Sequence, residues 1–114
     1  MSDFLKQVQE LIDIGDVQIS EHGYDELAED ELTARELLAG AKNSIIIEEY
    51  SEYSKGPCVL TLQQDRSERP VHVVWGIPKG NSKPVVLVTA CRPDPERWDE
   101  SFLAETIITQ QSKV

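Results

Sequence analysis

Four short runs of β-branched and aromatic residues, separated by polar segments of seven residues, constrain this chain more than any other feature. The runs are Ser44 to Tyr50, Cys58 to Gln63, Val71 to Ile77 and Val85 to Cys91. The segments between them read SEYSKGP, QDRSERP and PKGNSKP, which is turn and loop composition. Connections this short cannot hold a crossover helix, so consecutive strands must pair antiparallel, as a meander. The simplest hairpin registers put Val71, Val73, Trp75, Ile77, Val85 and Leu87 on one face of the sheet. Leu60, Leu62, His72, Val74, Val86 and Val88 fall on the other, together with Arg92 one strand over from His72. A slip of one residue exchanges the faces. Both faces are apolar, so helices cover both, or one is open to a partner.

The rest of the chain reads as helix. Phe4, Leu5, Val8, Leu11 and Ile12 recur at helical spacing over residues 2–14, with Ser2 or Asp3 as cap and Gly15 as stop. Val17 to Ile19 is a short extended piece. Ser20 opens a second helix with Tyr24, Leu27 and Ala28 as its stripe. Thr33-Ala34-Arg35-Glu36 has the spacing of a capping box and starts a third helix over about 34–41. After the strands, Asp94 and Pro95 can start a last helix with Trp98 and Phe102 on one face. The expected architecture is a single α+β domain over residues 1–114. It has an antiparallel sheet of about four strands, N-terminal helices and one C-terminal helix. A chain of 114 residues is the size of one ordinary domain.

Charge is unevenly placed. The net charge is −10. Residues 1–53 carry 14 acids against 3 bases, and residues 54–114 carry 7 acids against 8 bases. The acidic half is a solvated helical surface or a docking face for a basic partner; either way it repels nucleic acid. No run of 18 apolar residues exists to cross a membrane, and the N-terminus lacks the basic and apolar regions of a secretory signal. Cys58 and Cys91 fall at opposite ends of the meander, too far apart for a disulfide, so a reducing, cytoplasmic setting is expected.

The chemistry-bearing residues are few. His22, at a helix start, is a general acid–base candidate or a structural donor. His72 is a buried strand histidine or, with Arg92, half of a small cationic site for an anion. His22 and Glu26 lie one turn apart, but no third ligand stands at fixed spacing, so no metal and no cofactor are expected. Tyr50, where a strand gives way to a loop, can line a binding edge. Trp98 is a stacking platform or a core anchor. No Ser-His-Asp motif, Walker loop or dinucleotide fingerprint is present.

One ordered set of motifs is familiar. Ile19-Ser20-Glu21-His22 is followed by a helix, Leu32 and a second helix. Then come the strand Ile45 to Tyr50, the strand Val71-His72-Val73-Val74, and Pro93-Asp94-Pro95-Glu96-Arg97-Trp98. In this order they resemble the Domain of Unknown Function 4258 family, which looks like a distant relative of the RelE/BrnT-type toxins of bacterial toxin–antitoxin pairs. The resemblance runs from Ile19 to Phe102, leaves the first helix outside, and implies a RelE-like fold. Many relatives carry His-x-x-x-Arg-x-x-x-Arg on the helix that begins at His22. Here Glu26 and Asp30 stand at the two arginine positions. The resemblance implies basic side chains that hold RNA phosphates, and this chain offers anions in their place.

Three functional readings follow. The first is a small toxin-like domain that acts through protein binding, as a partner or a homo-oligomer, without retained nuclease activity; Glu26, Asp30, Tyr50 and Trp98 are its binding candidates. The second is a ribonuclease toxin using His22, His72 and Arg92. The third is a small-molecule or anion-binding enzyme.

Overall fold

Burial of one face of the β-branched runs against the helical stripes organises the molecule. The computed structural model describes residues 3–93. The elements are α1 (Asp3–Asp13), β1 (Val17–Ile19), α2 (Glu21–Glu29), α3 (Ala34–Gly40), a 3₁₀ turn (Ala41–Asn43), β2 (Ile45–Tyr50), β3 (Cys58–Gln64), β4 (Pro70–Gly76) and β5 (Val85–Cys91). The C-terminal helix expected from Asp94, with Trp98 and Phe102, lies outside the described residues.

The four expected strands form the antiparallel meander β2-β3-β4-β5. The sheet nevertheless has five strands and is mixed, because β1 joins it parallel to β5. The parallel pairing needs no short crossover: α2, α3 and the whole meander lie between the two strands in the chain. The three residues of β1 complete the hydrogen bonding of a strand whose inward residues, Val85 and Leu87, are fully buried. Ser20 N–H and Val85 N–H extend this edge by donating to Leu87 O and Asp16 O.

The expected partition of faces holds along β4. Val71, Val73 and Trp75 point into the core with Val59, Val85 and Leu87. Val8 and Leu11 of α1, Leu27 of α2 and Leu37 of α3 belong to the same cluster, so these three helices cover this face. Ser20 Oγ both accepts from Gly23 N–H at 2.9 Å and donates to Val88 O at 2.8 Å, which ties the start of α2 to β5. A Cβ on Gly23 would lie 2.8 Å from Leu87 O, so the close approach of helix to strand requires glycine.

One expectation about register fails. Trp75 pairs with Leu87 but Val74 pairs with Thr89, so Val88 is an extra residue, a β-bulge. The bulge reverses the alternation for the rest of β5. Ala90 turns into the core, Cys91 stands opposite His72, and Arg92 passes to the core-side face.

Candidate functional site

The residues singled out by sequence occupy separate places. His22 stands exposed on the first turn of α2, with Nε2 3.3 Å from Glu26 Oε1. A pair this open to solvent contributes little. Asp30 caps the C-terminal end of α2, and its Oδ2 accepts from Arg92 N–H at 3.1 Å. One of the two carboxylates at the family's arginine positions therefore anchors the end of β5. His72 is buried between Leu62 and Cys91 in register, on the face opposite Trp75. Because of the bulge, Arg92 does not join it: its Nη1 lies 2.9 Å from Asp65 Oδ2. Tyr50, at the end of β2, is partly exposed; burial and then the nearby Glu48 carboxylate push its hydroxyl pKa upward. Trp98 lies outside the described residues. His22, His72 and Arg92 thus sit on a helix surface, one sheet face and the other.

What the structure does assemble is an open cleft of about 690 Å³ between α3 and the turn joining β3 to β4. Glu36, Gly40, Asn43, Gln63, Asp65 and Arg66 are among its walls. Glu36 closes the capping box: Thr33 Oγ1 accepts from Glu36 N–H, and Glu36 Oε2 accepts from Thr33 N–H at 2.8 Å. Its Oε1 accepts from Arg66 N–H at 3.2 Å, so one carboxylate joins the helix start to the turn. Burial alone would raise its pKa, but the hydrogen bonds from Thr33 and Arg66 outweigh burial and lower it.

Asp65 builds the turn itself. Its Oδ1 accepts from Ser67 N–H at 2.8 Å and Arg69 N–H at 3.0 Å, and Oδ2 faces Arg92. Here too burial pushes the pKa up and is overcome by these donors and the guanidinium charge, so the carboxyl titrates below its ordinary range. Gln63 is buried on the core face, where Nε2 donates to Leu37 O at 2.7 Å. Its Oε1 is buried and receives no hydrogen bond among the described residues. A Cβ on Gly40 would stand 2.8 Å from Gln64 O, so the end of α3 rests directly on the β3 backbone.

Sequence reasoning saw Glu36 as a cap and missed the cleft. The available signal was the inward alternation Val59, Thr61, Gln63, which places two polar side chains on a core face. Thr61 is satisfied by donating to Val73 O at 3.0 Å. Among the described residues no three His, Cys, Asp or Glu side chains come together as a metal site. No helix there is long and apolar enough to cross a membrane.

Fold and cleft define a small α+β domain: a mixed five-stranded sheet, helices on one face, and an open groove at one end of the meander. The family model described as Domain of unknown function (DUF4258) matches residues 19–92, and the chain belongs to that family. The match ends at Arg92, short of the expected Phe102, and leaves α1 outside. No curated protein and no solved structure matches the chain.

Proposed function

We propose that this domain acts by contact with another protein, in a cytoplasmic setting, and does not cleave nucleic acid. The observation that carries the reading is the outer edge of β2. Among the described residues this strand pairs only with β3. Ile45, Glu48, Glu49 and Tyr50 on it are exposed, with Tyr53 just beyond. An open edge strand is a template for strand addition, with main-chain bonds giving affinity and side chains giving selectivity. The acids at 48 and 49 oppose pairing with a second copy and favour a basic strand.

The position of Arg92 supports the other half of the reading. A phosphoryl transition state needs positive charge placed beside the acid–base group. Arg92 does not supply it to His72, and the acidic first half of the chain repels a polyanion. Kinship with the RelE/BrnT-type toxins, with their nuclease chemistry lost, is part of the same proposal.

Purified protein is expected to leave RNA as intact as a protein-free control does. Cleavage by the wild type that disappears in a His72→Ala, Arg92→Ala double variant overturns the reading in favour of a ribonuclease. An alternating Lys/Val peptide is expected to slow hydrogen exchange of the β2 amides at low salt, while a Glu/Val peptide of equal length does not. Equal failure of both peptides removes the edge strand as the contact.

A further inference from the structure

We propose that the cleft between α3 and the Asp65–Arg69 turn binds a guanidinium group, carried by an arginine side chain of a peptide or by a small free guanidine. This goes beyond the edge-strand reading and does not depend on it.

The walls are rich in acceptors. Glu36 and Asp65 bring two carboxylates, both held ionised by their hydrogen bonds. Gln63 adds a buried amide oxygen that no donor among the described residues satisfies. Its orientation is fixed, because Nε2 is committed to Leu37 O. A buried acceptor without a donor is costly, and a ligand N–H relieves that cost. Gly40 contributes by what it lacks: a side chain there would press on Gln64 O and the Gln63 amide.

The chemistry selects the ligand. An anion would meet two carboxylates and an amide oxygen, so it is disfavoured. A guanidinium offers five N–H donors in a flat fork suited to carboxylate and amide oxygens, whereas an ammonium offers three at a point charge. The cleft volume, about 690 Å³, lies within the usual range for small-ligand sites, roughly 300–1,000 Å³. Arg66 is the wall's own cation and would compete with a bound guanidinium; its side chain is exposed and its backbone N–H is held by Glu36.

The test is an NMR titration of the full chain with three probes: Nα-acetyl-arginine amide, methylguanidine and the neutral isostere Nα-acetyl-citrulline amide. The Gly40 backbone and Gln63 side-chain amides are expected to shift with both guanidines and not with the citrulline compound. Equal affinity for the two guanidines identifies a free guanidine as the ligand. A roughly tenfold preference for the arginine amide identifies a peptide side chain.

Glu36→Gln keeps the capping box, which accepts Gln at that position, and is expected to weaken binding roughly tenfold. Gln63→Met removes the amide oxygen at similar size; with folding verified by circular dichroism, it is expected to lose binding. Arg66→Ala is expected to tighten it. Absence of shifts at Gly40 and Gln63, equal binding of the citrulline compound, or binding unchanged in both Glu36→Gln and Gln63→Met overturns the proposal.

Discussion

Asp65 is the residue through which the turn, the strand ends and the solvent pH are coupled. Its carboxylate accepts from Ser67 and Arg69 and faces Arg92, while Asp30 holds the Arg92 N–H from the other side. Its folded pKa is lowered, as is that of Glu36. The unfolded chain therefore binds more protons than the folded one in the acid range, and stability rises with pH there. The contribution is complete above the unfolded values, about 3.9 for Asp and 4.3 for Glu, and disappears as pH falls through the folded values. Urea midpoints measured from neutral pH downward are expected to drop below about pH 4, and Asp65→Asn should flatten that descent. A descent of equal steepness in the variant would show that Asp65 is not the linked group. At this scale the capping box and the inward Trp75 were legible in sequence, because local spacing determines both. The partner of Arg92 was not legible, since a single inserted residue at Val88 reverses the alternation and no local signal marks it.

Elements divide into those that carry their own signal and those that exist only by packing. The meander belongs to the first kind: seven-residue connections leave antiparallel pairing as the remaining geometry. β1 belongs to the second, because three residues are too few to specify a strand until β5 lies beside them. The cleft is likewise a product of packing, formed where α3 meets a turn more than twenty residues further along the chain. The central element β4 is where stability is most concentrated, with Val71, Val73 and Trp75 fully buried on the core face. Trp75→Ala is expected to cost about 3–5 kcal/mol, enough to remove most of the stability of a domain this size. Trp75→Phe should cost much less, because the indole Nε1–H is buried without an acceptor among the described residues and its removal offsets part of the lost packing. Urea unfolding of the two variants measures the difference, and equal losses would mean that the indole N–H is satisfied in solution.

Across the whole molecule the two thiols report on the order of the strands. Cys58 starts β3 and pairs with Gly76; Cys91 ends β5 and pairs with His72, at the other end of β4. They are separate thiols, as their places in the meander require. Their surroundings differ. Burial raises the pKa of the Cys58 thiol, whereas Cys91 is exposed to solvent. The thiolate is the reacting species, so both accessibility and ionisation slow Cys58. Titration of the unfolded, unreduced chain with a chromogenic disulfide is expected to count two thiols. In the native protein Cys91 is expected to react first, and Cys58 only at the rate at which β3 opens. Adding urea below the unfolding midpoint should then accelerate Cys58 more than Cys91. Finding neither thiol reactive in the unfolded chain, with a mass lower by two hydrogens, would mean that the two ends of the sheet meet. The strand order β1-β5-β4-β3-β2 would then have to be abandoned, and with it the placement of Arg92 beside Asp65.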